Sequence, residues 1–241
     1  MKKLFTLIAL LGLAQSANAA NISTLDLLSQ SEFRTFSEDL GAAFSYKPVT
    51  PAAPLGTIGF DMGIEVTQTD TSKSAQIWSK ATSGGSSVSK VYVPKLHIAK
   101  GLPFGIDIAA FYSKIPTTNI SLVGAELRYA IVEGGIATPA IAVRGSYTKL
   151  GGVDHLSLNT KALDFSISKG FAMFTPYAGI GEVWVDSSAS VSGTDGALSR
   201  KSALNKIFAG ANLNLGATNI AAEVDKTGGA QSISMKLGFR F

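Results

Sequence analysis

The chain has 241 residues, of which 46% are hydrophobic and only 16% charged, with 21 basic against 17 acidic residues and no cysteine. Soluble domains carry about 25% charged residues, so a mean hydropathy of +0.25 marks an unusually apolar chain, while a formal charge of +4 is too small to argue for a nucleic-acid partner. Without cysteine, neither a disulfide framework nor a lipid-modified N-terminal cysteine is possible.

Residues 1–19 read as a secretory signal peptide. Lys2 and Lys3 form a positive start, Leu4 to Ala14 an apolar run, and Ala17-Asn18-Ala19 an A-x-A cleavage site. That run falls short of the roughly 18 residues a spanning helix needs, and no later stretch reaches that length. An exported, apolar chain without such a helix has one other way to sit in lipid: a closed β-barrel, which satisfies every backbone group between its strands.

Residues 20–56 form a unit of their own. Ser23 with Asp26 resembles a capping box. Phe33, Phe36, Leu40 and Phe44 then recur at helical spacing, predicting an amphipathic helical segment. The stretch KPVTPAAPLG follows, an extended connector that a helix cannot cross. This segment is a candidate plug, expected to pack against the periplasmic mouth of a barrel.

From residue 57 the period changes to two. Ten alternating strands are predicted, at 57–68, 89–100, 104–114, 119–132, 138–149, 155–168, 173–187, 203–215, 218–226 and 230–241. In the sixth the phase slips near Lys161, which predicts a bulge. Two connections are long, 69–88 and 188–202. Both are odd-numbered, so they open on the same side, and the even-numbered connections are tight turns. Gly151-Gly152 and Gly228-Gly229 read as turn residues. The predicted fold is all-β: a transmembrane up-and-down antiparallel β-barrel of about ten strands over residues 57–241.

An inside-out barrel should differ from a soluble one in its polar face. Here that face is rich in Gly, Ser, Ala and Asn, which suit a crowded lumen better than a wet exterior. The charges fall on it too. Asp61, Glu65, Asp107, Glu126, Asp164, Glu182, Glu223 and Asp225 are read as lumen-lining, against Lys95, Arg128, Arg144, Lys161, Lys206, Lys236 and Arg240. His97 joins them. Lys or Arg on the lipid face at mid-depth costs about 2–4 kcal/mol. Tyr92, Tyr112 and Tyr147 fall near the loop side and Tyr129 near the turn side, all on the apolar face, as amphipathic rings at two interfaces should. Tyr177 also lies near the turn side, on a strand whose faces stay open.

The signal peptide, the even strand count and the alternation Ile233, Met235, Leu237, Phe239, Phe241 at the terminus resemble bacterial outer-membrane β-barrel proteins. The resemblance covers about residues 57–241. It implies an outer-membrane location, a lipid bilayer around the barrel, and a last strand that serves as the signal for the barrel-assembly machinery. Ten strands enclose a narrow lumen, since an eight-stranded barrel is filled by its side chains. The expected function is an envelope barrel with a narrow or plugged lumen, in passive small-solute transport or a structural role, with its cargo open. Two alternatives remain. His155-x-Ser157 resembles the pair of outer-membrane lipid hydrolases, although Leu158 and Asn159 follow where the phospholipase pattern has Asn-Gly. The long loops, with Ile77-Trp78, could serve surface adhesion. The histidine spacings suggest no metal site, and no cofactor motif is found.

Overall fold

The computed structural model describes residue 22 and residues 24–82, 87–116, 118–190 and 198–241. The predicted signal peptide and Ser23 lie outside them. Ten antiparallel strands close into one barrel in chain order, with β1 paired to β10. They are β1 (Phe60–Asp70), β2 (Lys90–Gly101), β3 (Ile106–Lys114), β4 (Ser121–Val132), β5 (Ala140–Gly151), β6 (Leu156–Ser168), β7 (Phe174–Ala189), β8 (Leu198–Leu215), β9 (Thr218–Thr227) and β10 (Ala230–Arg240). The terminal residue finishes the seam: Phe60 and Phe241 exchange two backbone hydrogen bonds of 2.7 and 3.0 Å, and their rings stack at 5.7 Å.

Among the described residues two α-helices precede or interrupt the strands: α1 (Gln30–Phe44) and α2 (Ala75–Ala81). The cap of α1 is Ser29 with Glu32, a complete capping box, rather than the expected Ser23 and Asp26. Leu25–Leu27 form a single 3-10 turn instead. Phe33, Phe36, Leu40 and Phe44 share one face of α1 and are fully buried, while Gln30 and Arg34 face out. Arg34 and Glu38 pair along the exposed face at 3.0 Å.

The exterior is apolar over a band encircling the barrel. Met62, Ile64, Leu96, Ile98, Leu127, Phe165, Ile180, Ile207, Ile233 and Met235 all point outward and are 44–62% exposed. That surface would be untenable in water and is what hydrocarbon requires. Tyr112, Tyr147 and Trp184 edge it on the loop side; Tyr129, Phe174, Phe239 and Phe241 edge it on the turn side.

The interior has two tiers. Below the loop-side edge of the band it is polar and charged. Above that edge it is apolar: Val91, Val93, Leu122, Leu150, Leu158, Val183 and Val185 form one cluster with Phe33, Phe36, Leu40, Phe44 and Trp78. The strands reverse their polarity at this boundary without changing phase. In β6, Leu156 and Leu158 point in and Asn159 and Lys161 point out; farther down, Leu163, Phe165 and Ile167 point out and Asp164 points in. The predicted bulge at Lys161 is therefore absent, since β6 keeps continuous register with both neighbours. The register shift that does occur lies between Ala130 and Val132. What changes at Lys161 is the solvent. Above it the inside is a dry core and the outside is water; below it the outside is lipid.

The same reversal explains a second correction. Glu182, expected in the lumen, lies on the outer face between Leu163 and Asn205. Val183 and Val185 are its inward neighbours and belong to the upper core. Lys161 likewise points outward. Tyr177 resolves inward and is buried.

Above the boundary, β8 rises beyond β9 while β6 and β7 stay paired up to Leu156 and Ala189. The β7–β8 ladder reaches Ala189 and Leu198, whereas β9 leaves β8 at the Lys206–Thr227 pair. Of the expected loop at 188–202, residues 188–189 and 198–202 are thus strand, and 191–197 lie outside the described residues. Helix α1 seals the inner face of this wall. A Cβ at Gly41 would collide with Val185, so only glycine permits that approach. Ser37 and Ser187 are hydrogen-bonded at 2.7 Å. Gln30 Nε2 donates to Ser199 O at 3.0 Å, and Ser202 Oγ to Glu38 at 2.9 Å.

Candidate functional site: the threaded lumen

The segment expected at the periplasmic mouth sits at the opposite end. Ile22 bridges to Thr82 in the β1–β2 connection, and Thr24 Oγ1 donates to Lys80 O at 2.6 Å. Lys80 pairs with Glu32 at 2.5 Å. The hydrogen bonds from Lys80 and Ser29 hold the Glu32 carboxyl down at about 2. Asp39 accepts a hydrogen bond from Ser74, and burial pushes its carboxyl above the usual range. The apolar face of α1 dictates this placement: it needs an apolar partner, and only the loop-side tier offers one.

After α1 the chain turns down through the polar tier. Tyr46 is buried beside Phe111, ring centroids 5.3 Å apart, with its hydroxyl 3.2 Å from His97 Nε2. Lys47 Nζ reaches Asp225 at 2.7 Å, both side chains fully buried. Lys206 pairs with Asp164 at 2.9 Å and donates to Tyr46 O at 3.3 Å. Val49 adopts a left-handed φ of 43°, a costly conformation for a β-branched residue. The following residues hold it there. Arg128 donates to Thr50 Oγ1 at 3.2 Å and Pro51 O at 2.5 Å while bound to Asp107. Arg240 donates to the same Thr50 at 3.1 Å. Farther down, Ser168 Oγ accepts from the Ala52 and Ala53 amides at 3.1 and 3.2 Å, and Asp107 accepts from the Leu55 amide. The chain emerges on the turn side at Gly56–Gly59 and enters β1.

The other predicted lumen residues line this path. Lys95 pairs with Glu65 at 2.7 Å and Arg144 with Glu126 at 3.1 Å. Asp61 holds Lys236 at 3.1 Å and Arg240 at 2.6 Å. His97 and Glu223 are buried among them. The void between Thr50, Asp61, His97, Asp107, Glu126 and Arg240 leaves no space for a water-sized sphere.

Lys47 and Thr50 were missed as site residues, yet a signal for Lys47 was present. With Glu182 and Lys161 outside, the inward acids Asp61, Glu65, Asp107, Glu126, Asp164, Glu223 and Asp225 exceed the inward bases Lys95, Arg128, Arg144, Lys206, Lys236 and Arg240 by one. A buried carboxylate needs a partner, and Lys47 supplies the seventh cation. His155 and Ser157 fare differently. His155 occupies the β5–β6 turn at φ 63° rather than a strand, Ser157 points outward, and no hydrogen bond between them is found among the described residues. Among these residues no group of three or more His, Asp or Glu side chains is placed to hold a metal ion.

Three solved barrels are similar in architecture. The N-terminal β-barrel domain of Pseudomonas aeruginosa OprF is 14% identical with a TM-score of 0.40, covering 77% of this chain and 99% of that one. The translocator domain of the autotransporter NalP from Neisseria meningitidis is 12% identical with a TM-score of 0.37, covering 77% and 89%. Ail, the attachment invasion locus protein of Yersinia pestis, solved with the heparin analogue sucrose octasulfate, is 12% identical with a TM-score of 0.32, covering 76% and 97%. No curated protein matches the sequence. Residues 55–241, the last turn of the connector and the whole barrel, match the model of a family of unknown function, DUF6588, and the chain belongs to that family.

Proposed function

We propose that this protein is an integral barrel of the bacterial outer membrane, sealed by its own N-terminal segment, with a structural and surface-presenting role in the envelope rather than that of an open pore. One observation carries the reading: the connector is clamped at every depth of the lumen, by Asp225 and Lys206 above, Arg128 and Arg240 in the middle, and Ser168 and Asp107 below. The orientation follows from the connections. The long β1–β2 segment and the raised β7–β8 hairpin face outward from the cell, and the short turns face the periplasm. The alternating last strand, Ile233 to Phe241, acts as the insertion signal for the barrel-assembly machinery, and Phe241 then anchors the lower interface. The role is non-enzymatic, and small solutes pass only if the connector is displaced.

Planar-bilayer recording of the folded protein tests this. The intact chain is expected to show no steady conductance, and a chain beginning at Gly56 is expected to conduct. Steady conductance in the intact protein would refute a sealed lumen, and silence from both would remove the connector as its cause.

A further inference from the structure

The path of the chain imposes a condition that a simple plug does not. A plug lying beneath a barrel can dock after the barrel has closed. Here Ile22 and residues 24–45 lie on the loop side, the connector passes once through the lumen, and β1 starts on the turn side. An eleventh passage of chain therefore runs inside the ten strands. We infer that the protein carries its own N-terminal segment to the far side of the membrane, and that the β1–β10 seam closes around the connector afterwards. This rests on the outer-membrane orientation proposed above.

The dimensions favour that order. A helix with its side chains is about 10–12 Å across, and the lumen at the level of Lys47 is already filled by an extended strand of chain and its ion pairs. Helix α1, carrying Phe33, Phe36, Leu40 and Phe44, has no route through that space once the barrel is complete. Its apolar face would also have to cross the charged tier, where Lys95, Arg128, Arg144, Lys206 and Lys236 are buried. Delivery before closure removes both obstacles. The seam itself is suited to closing last: Asp61 on β1 gathers Lys236 and Arg240 from β10, and Arg240 in turn holds Thr50 of the connector.

The natural chain lacks cysteine, so single cysteines report position cleanly. Asp26→Cys marks the N-terminal segment, Lys73→Cys the β1–β2 connection, and Ala217→Cys the β8–β9 turn; all three residues are exposed. Intact cells are treated with a membrane-impermeant maleimide, and each signal is normalised to the denatured protein. Residues 26 and 73 are expected to label to the same extent, and residue 217 only after permeabilisation. Labelling at 73 but not at 26 would overturn the inference and leave the orientation standing. Labelling at 217 but not at 73, or at none of the three, would overturn the orientation reading itself. A time course settles the order. Labelling at 26 is expected to accompany or precede the heat-modifiable folded form; a folded form that accumulates first, with residue 26 still protected, would refute closure around the connector.

Discussion

Ala203 and Ala211 offer a matched test of where the membrane ends. Both lie on β8, both point outward, and both are alanine, so one substitution probes two depths. Ala211 sits in the apolar band beside Pro176 and Ala222; Ala203 sits above the polarity reversal beside Trp184. The eight steps from one to the other span ~26 Å along the strand at about 3.3 Å each, or ~20 Å of depth at a tilt of about 40°. Arginine on the lipid face costs about 2–4 kcal/mol near mid-depth and about 0–1 kcal/mol near an interface. Ala211 lies about 5 Å in depth from the turn-side ring at Phe174, which pairs with Leu213, so Ala211→Arg is expected to destabilise by ~2 kcal/mol, roughly thirtyfold in the folding equilibrium, and Ala203→Arg by no more than about 0.5 kcal/mol. Urea titration in phospholipid vesicles, followed by tryptophan fluorescence, measures both. Equal small costs would mean that residue 211 faces water and the barrel is soluble. Equal large costs would mean that the reversal at Lys161, Glu182 and Asn205 does not mark the membrane edge.

Two further outcomes follow from the site. Lys47→Met strands Asp225 in the lumen and is expected to cost about 3–5 kcal/mol, much of it recovered when Asp225→Leu is added; urea titration of the two single variants and the double variant measures this, and simply additive costs would deny the pair. Glu32 is held at about 2 by Lys80 and Ser29, so its contribution is complete above its ordinary value of about 4.5 and is lost as pH falls toward 2. Amide protection factors at Ser29 and Lys80, taken relative to intrinsic exchange at each pH, should stay level from about pH 8 to 5 and fall below that, and an unchanged acid step in Glu32→Gln would refute the assignment.

Much of the architecture was legible because a strand's period is two whatever surrounds it. Ile233 to Phe241 alternates without a break, and so do Ile64 to Val66 and Ile207 to Ala209, so strand count and order could be read directly. The failures share one physical origin. Period alone identifies two faces but not which solvent each one meets, and in β6, β7 and β8 that solvent changes partway along. Val183 and Val185 are as apolar as a lipid face yet point into the upper core, which leaves Glu182 outside; Leu156 and Leu158 do the same in β6, which mimics a phase slip at Lys161. The plug was recognisable as amphipathic from Phe33, Phe36, Leu40 and Phe44. Its location was not, because the apolar tier that receives it is assembled from single residues on many strands, such as Val93, Leu122, Leu150 and Val185.

The charged lumen is better understood as a device for register than as a source of stability. A buried ion pair rarely outperforms well-packed apolar residues, but removing one partner is severe. At the seam, Gly63 faces Gly238 and Glu65 faces Lys236. Slipping β10 by one residue would turn Lys236 and Arg240 toward lipid and bring Met235, Leu237 and Phe239 inward. Asp61 would lose both cations, and Thr50 would lose one of its two arginine donors. The correct seam and the seated connector are thus satisfied together or not at all. Filling the same lumen with leucine would leave the seam free to slip and the connector without a place to stop. The ionic network couples closure of the barrel to the presence of the chain inside it, which a threaded topology requires.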